Sequence, residues 1–103
     1  MELKPEHLRI VREIFARHLP DREVRVFGSR AVGPAKAHSD LDLAIMGEEP
    51  LPLTTMRILR DAFDDSDLPF HVDLVEWVGV SEEFRVVIES TARALGHVST
   101  DAV

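Results

Sequence analysis

The sequence contains no cysteine, no tyrosine and only one tryptophan. Without cysteine there is no disulfide framework and no thiolate metal site. Its longest apolar stretches span a few residues, far fewer than the ~20 that a membrane-spanning helix needs. The N-terminal residues include no apolar segment typical of a signal peptide. These absences predict a cytoplasmic protein with no membrane attachment.

Basic residues are also scarce, since 12 Lys and Arg stand against 19 Asp and Glu and give a net charge of −7. Phosphate contacts along a nucleic acid need clustered Lys and Arg, so the composition argues against an extended nucleic-acid track. With 103 residues, 45% hydrophobic and 30% charged, residues 1–103 are expected to form a single globular domain, with a frayed tail over 97–103. Residues 61–76 carry six acidic residues and no Lys or Arg, which points to a basic surface on a partner protein.

Apolar residues that recur every three or four positions predict three helices, over 5–18, 53–63 and 81–96. Alternating apolar residues predict three strands, over 23–27, 41–46 and 70–75. The segment 29–39 is interpreted as a loop with one helical turn. For the last helix, Ser81 is the expected N-cap and Gly96 the expected C-cap, with an apolar stripe of Phe84, Val87, Ile88 and Leu95.

The element order is therefore α–β–β–α–β–α. The short connection between the first two strands favours an antiparallel pair, and the helix between the second and third permits a parallel crossover. We expect an α+β fold: a small mixed β-sheet flanked by helices.

Three features of the sequence indicate chemistry. Gly28 and Ser29 follow a strand, where a glycine permits close backbone approach and the serine can bind phosphate oxygens. Asp40 and Asp42 are two positions apart on a strand, so their carboxylates share a face and repel unless a cation such as Mg²⁺ lies between them. Asp73 joins them if the third strand neighbours the second. Three carboxylates beside a phosphate-binding turn are typical of two-metal phosphoryl transfer.

Each feature alone also has a structural interpretation. A Gly-Ser pair is a common turn signal, an Asp-x-Asp pair is often a solvated strand end, and Asp73 alone would simply be exposed. Their joint occurrence at strand ends favours the functional interpretation.

Gly28-Ser29, ten further residues and then Asp40-Leu41-Asp42 resemble the G-S-x10-D-x-D signature of the DNA polymerase β-like nucleotidyltransferase superfamily. The fuller strings at 27–31 and 39–45 resemble its minimal nucleotidyltransferase (MNT) subgroup. The segment 66–75 is similar to the strand that carries the third carboxylate in those proteins. The resemblance extends from about residue 8 to residue 95.

The resemblance implies that Asp40, Asp42 and Asp73 are the catalytic carboxylates. Asp40 and Asp42 would hold two Mg²⁺ ions, and Asp73 would act as a further ligand or as a base. It also implies transfer of AMP from ATP to an acceptor hydroxyl, with release of pyrophosphate. The implied nucleotide-binding residues are Gly28 and Ser29, which would bind the β- and γ-phosphates, with Arg30 and Lys36 as further candidates.

A chain of this length is expected to leave no room for an acceptor-binding domain, so the acceptor is expected on a partner. MNT proteins resembling this one pair with a helical protein of the HEPN type, which in some pairs is a toxin that the MNT antitoxin modifies on tyrosine. Because this chain has no tyrosine, such a modification would occur in trans. Two alternatives stay open: a non-catalytic subunit that masks its partner, and transfer to a small molecule or a nucleic-acid end. Trp77 is interpreted as part of the partner surface or as a cap on the core edge.

Overall fold

The computed structural model describes residues 2–95, which form a four-stranded sheet with helices on both faces. The helices are α1 (Pro5–His18), the single turn α2 (Ser29–Val32), α3 (Leu53–Asp64) and α4 (Glu82–Thr91), with a 3-10 turn at Trp77–Gly79. The strands are β1 (Val24–Phe27), β2 (Leu41–Ile45), β3 (Val72–Glu76) and β4 (Arg93–Ala94). The expected α+β architecture is confirmed.

The sheet has the strand order β3-β2-β1-β4. Strand β1 pairs antiparallel with β2 and β4, whereas β2 pairs parallel with β3. The expected antiparallel and parallel pairs are both confirmed. The length of each connection explains these directions. The short segment with α2 only reverses the chain, so β2 runs antiparallel to β1, whereas the longer connection through α3 returns the chain to the end of the sheet where β2 begins, so β3 runs parallel to β2.

The larger core lies between the sheet and the helices α1 and α3. Every second residue of β1 and β2 points into it, and so does Leu74 of β3. Val11 and Phe15 of α1 are fully buried there, as expected from the helical stripe predicted over 5–18. This packing fixes which residues of the strands point to the opposite face.

The opposite face carries a smaller cluster of Phe27, Ala44 and Ile88, with α4 packed on it. The Ser81 hydroxyl accepts a hydrogen bond from the Phe84 N–H at 3.1 Å, which confirms the expected N-cap. The predicted apolar stripe of this helix is wrong in part, because Phe84 is 37% and Val87 50% exposed. A helix of 10 residues covers only part of the sheet face, and Ile88 is its one buried residue.

The last predicted helix also ends early, at Thr91, because the chain then extends into β4 and pairs with β1. Leu95 is buried after this strand, where its N–H donates to the Val24 carbonyl at 3.1 Å. The expected cap at Gly96 and the expected tail over 97–103 lie outside the described residues. Within residues 2–95 no helix combines the length and the apolar character needed to cross a membrane.

Candidate active site

Two of the three predicted carboxylates are direct neighbours in the sheet. Leu41 and Leu43 of β2 point into the larger core, so Asp42 between them points to the face that carries α4. On β3, Asp73 alternates with the buried Leu74 in the same way. Asp42 is the register partner of Asp73 across the parallel pair β2–β3. The expectation that the third strand neighbours the second is therefore confirmed.

Asp40 lies just before β2, and its negative charge acts on the Asp42 carboxyl. Burial raises the pKa of the Asp42 carboxyl above its ordinary value, and the negative charges of Asp73 and Asp40 raise this pKa further, while nearby His71 lowers it. Asp40 and Asp73 are exposed and Asp42 is half-buried. The structure thus brings Asp40 and Asp73 within electrostatic reach of Asp42 at one end of the sheet.

The Gly28–Ser29 turn lies against this acidic group. Gly28 has φ +78°, and a β-carbon placed on it would lie 2.6 Å from Asp42 Oδ2. Only a glycine fits both the backbone conformation and this contact. The Gly28 N–H donates to Thr91 Oγ1 at 3.1 Å, so the end of α4 supports the turn. Ser29 is exposed and begins α2, with its hydroxyl available to a ligand.

The acidic side chains suit a hard cation but do not enclose one. Across residues 2–95 no three Asp, Glu, His or Cys side chains converge closely enough to hold a metal ion by themselves. Mg²⁺ commonly binds through one or two carboxylates together with substrate phosphates and water. The all-oxygen donor set, and the charge repulsion that raises the pKa of Asp42, fit such an open site better than a closed protein cage.

Arg30 occupies a different place from the one expected of a phosphate-binding residue. It is only 7% exposed, and its guanidinium donates to four main-chain carbonyls rather than facing the Gly28–Ser29 turn. Those carbonyls belong to Glu2, Lys36, Ala37 and Ser39. The predicted phosphate contact therefore lacks support for Arg30, because its donors are used within the protein. Lys36 is exposed in the same loop.

Sequence reasoning missed two residues at this site. Thr91 contacts the glycine turn although it lies 63 positions further along the chain, and no local pattern marks it. His71 reaches Asp42 electrostatically. A signal for His71 did exist, because it stands two positions before Asp73 and so belongs to the same face of the third strand.

Trp77 packs against the Phe27–Ala44–Ile88 cluster. The Arg85 guanidinium lies over its ring at 4.7 Å, and two Arg85 nitrogens donate to the Trp77 carbonyl. Of the two interpretations of Trp77, these contacts favour the cap on the core edge.

Comparison with known proteins gives a consistent result for most of the chain. Residues 8–95 match the family model described as the nucleotidyltransferase domain. A curated relative from Haemophilus influenzae, named probable protein adenylyltransferase MntA, is 49% identical over 88 residues, which cover 85% of this chain and 77% of the relative.

Solved structures share the fold at lower identity. A toxin–antitoxin structure with AMP-PNP matches with a TM-score of 0.70 and 21% identity, covering 86% of this chain and 72% of that chain. A structure described as a tri-AMPylated Shewanella oneidensis HEPN toxin in complex with its MNT antitoxin matches with a TM-score of 0.57 and 17% identity, covering 86% and 71%. At these identities the similarity establishes the fold.

Proposed function

Because the chain belongs to the nucleotidyltransferase domain family, we propose that it transfers AMP from ATP to a hydroxyl group on a partner protein. The observation that carries the proposal is the register pair of Asp42 and Asp73 beside the Gly28–Ser29 turn. In this arrangement the Gly28 backbone lies so close to the Asp42 carboxylate that a β-carbon on Gly28 would clash with it, which supports a role of the acidic face and the turn in one site. The curated relative is named for the same class of reaction.

In the proposed site Asp40 and Asp42 would hold two Mg²⁺ ions together with substrate phosphates and water, and Asp73 would complete the acidic face. When bound, Mg²⁺ would polarise the α-phosphate and offset the charge that develops during transfer. Ser29 binds the β- and γ-phosphates through its hydroxyl. The Gly28 N–H already donates to Thr91 Oγ1. Gly28 therefore contributes to the proposed site by leaving space beside Asp42, which a side chain would fill.

The proposed transfer is an in-line displacement at the α-phosphorus of ATP. The acceptor hydroxyl oxygen attacks the α-phosphorus of ATP, the bond from that phosphorus to the bridging oxygen breaks, and pyrophosphate leaves. Asp73 is the proposed acceptor of the hydroxyl proton, because it is exposed and lies directly across from Asp42. A carboxylate positioned in this way acts as a general base.

The partner we propose is a helical HEPN protein, with this chain as its antitoxin. Support comes from the fold neighbours, which include a toxin–antitoxin structure with AMP-PNP and an AMPylated HEPN toxin bound to its MNT antitoxin. The acceptor hydroxyl belongs to the partner; a tyrosine acceptor in particular must do so, because this chain contains none.

The test uses α-phosphate-labelled ATP, Mg²⁺ and the purified HEPN partner. We expect label on the partner with the natural chain, loss of label with Asp42→Ala, and retention with the matched variant Asp21→Ala, whose side chain is exposed and far in sequence from the acidic stretch. Partner that is inhibited but never labelled would instead support the masking alternative. Label that persists in Asp42→Ala would contradict the assigned site.

A further inference from the structure

Arg30 is the only polar or charged side chain that is buried among residues 2–95. Its Nε donates to the Ser39 carbonyl at 2.9 Å, and its Nη2 donates to the carbonyls of Ala37 at 3.0 Å and Lys36 at 3.4 Å. Removing a guanidinium from water is costly unless its donors are satisfied. Here the loop before β2 supplies most of the acceptors.

The acceptors are also close to the catalytic face in sequence. The Ser39 carbonyl belongs to the peptide that joins Ser39 to Asp40, so the Arg30 Nε fixes the backbone immediately before the first carboxylate. The same loop is closed by a turn in which the Ser39 N–H donates to the Lys36 carbonyl at 3.0 Å and the Lys36 N–H donates to Ser39 Oγ at 2.9 Å. The buried guanidinium of Arg30 donates to the carbonyls of this turn from the protein interior.

A second contact reaches the strand that carries Asp73. The Arg30 Cζ lies 4.1 Å from the centroid of the Phe70 ring, a cation–π distance. The main-chain carbonyl of the next residue, His71, accepts a hydrogen bond from the Leu41 N–H at 2.9 Å, where β2 and β3 begin to pair. The Arg30 guanidinium therefore contacts both the loop that precedes β2 and the residue Phe70 that precedes β3.

We propose that Arg30 is a positioning residue: by holding the 36–39 turn against Phe70, it sets the position of Asp40 relative to Asp73. This inference rests on the proposed function of the acidic face, and it assigns Arg30 to the metal-binding geometry rather than to phosphate. Lysine keeps the charge but offers no planar fork for several carbonyls at once. Arg30→Lys is therefore the informative change, with the exposed Arg60→Lys as its matched control.

The kinetic test uses the full chain with the HEPN partner, ATP and a Mg²⁺ titration. Because a displacement of about 1 Å in a catalytic site costs on the order of 100-fold in rate, we expect Arg30→Lys to lower kcat by about that factor. The Mg²⁺ concentration for half-maximal activity should rise, and KM for ATP should stay within about twofold. Arg60→Lys should match the natural chain. A raised KM for ATP with unchanged kcat would overturn the proposal, because that result is expected of a phosphate contact.

A second readout does not depend on activity. Amide hydrogen exchange should accelerate in peptides that span 36–41 of Arg30→Lys, while peptides from α1 stay as protected as in the natural chain. Mn²⁺ binding measured by calorimetry should weaken in Arg30→Lys and not in Arg60→Lys. If the natural chain transfers no AMP, the proposed function fails while these two measurements still decide the role of Arg30. Unchanged exchange and unchanged Mn²⁺ binding would overturn it.

If Arg30→Lys does not fold, Phe70→Leu takes its place. Leucine keeps apolar bulk at this position and removes the ring face beneath the guanidinium, together with the edge contact between the Phe70 ring and His7. We expect faster exchange over 36–41 and weaker Mn²⁺ binding, in the same direction as for Arg30→Lys but smaller. No change in either quantity in a folded Phe70→Leu protein would contradict the proposal.

Discussion

Asp42 and Asp73 are register partners on the parallel strands β2 and β3, so two carboxylates share one face of the sheet. Burial raises the pKa of Asp42, and the negative charges of Asp73 and Asp40 raise it further. In the absence of a cation, ionisation of Asp42 therefore opposes folding. The same repulsion favours any divalent cation that binds between the carboxylates.

The first prediction concerns the stability of the metal-free protein. Asp42→Asn removes the repelling charge, so we expect its Tm in EDTA to rise above that of the natural chain. Because the site is partly exposed, solvent screening keeps the gain below about 1 kcal/mol, or roughly 1–5 °C for a domain of this size. The matched control is Asp61→Asn on the exposed side of α3, which should leave Tm unchanged. A lower Tm for Asp42→Asn in EDTA would contradict the prediction.

The second prediction is a pH dependence with a definite sign. The folded-state pKa of Asp42 is raised, so its destabilising effect is fully present above that pKa and is relieved as pH falls through it. The difference in unfolding free energy between Asp42→Asn and the natural chain should therefore shrink from neutral pH towards about pH 4. Urea unfolding in EDTA at a series of pH values measures this difference. A difference that grows as pH falls would show that the sign is wrong.

The third prediction concerns Gly28, whose φ of +78° and whose contact with Asp42 both exclude a side chain. In Gly28→Ala a β-carbon 2.6 Å from Asp42 Oδ2 must displace that carboxylate. We expect stability to fall by about 1–3 kcal/mol and kcat/KM for ATP to fall by more than about tenfold. Gly79→Ala is the control, because a β-carbon there meets no atom within 4 Å. Equal activities of the two variants would contradict the close approach.

The sequence predicts most of the fold because its strands and helices repeat with clear periods. The alternation of Leu41 and Leu43 with Asp42 places the acidic residue on the face away from the larger core, and the structure has it there. β4 could not be predicted, since a strand of two residues has no period. This strand forms only by pairing with β1, whose residues are far from it in the sequence.

In the candidate site, too, the positions that follow from strand pairing were predictable, and those that depend on distant contacts were not. The neighbouring positions of Asp42 and Asp73 follow from strand pairing, which the element order made predictable. Arg30 follows a phosphate-binding signal in sequence, but its burial depends on a turn that folds back over it. A local motif shows that an arginine is present and not whether its donors face a ligand or the protein's own carbonyls.

The fourth prediction concerns association with the partner. The acidic stretch includes four residues that are exposed in and after α3: Asp61, Asp64, Asp65 and Asp67. If a basic partner surface is steered by this charge, the association rate should fall steeply between low and physiological salt. A variant with all four changed to Asn should lose most of that salt dependence, whereas Glu82→Gln with Glu83→Gln should keep it. Stopped-flow mixing measures both rates, and an association rate insensitive to salt would contradict electrostatic steering.

The fifth prediction tests the support of the glycine turn by α4. Thr91 Oγ1 accepts the Gly28 N–H at 3.1 Å, and Thr91→Val keeps the shape of the side chain while removing the acceptor. An unsatisfied, partly buried N–H costs about 1–3 kcal/mol, so the turn should become more mobile and KM for ATP should rise several-fold. Thr91→Ser keeps the hydroxyl and should restore KM. Ser90→Ala serves as the control, because the Ser90 hydroxyl donates only within α4, to the Val87 carbonyl. A Thr91→Val enzyme with the KM of the natural chain would show that the Gly28–Ser29 turn holds its shape without the hydrogen bond from α4.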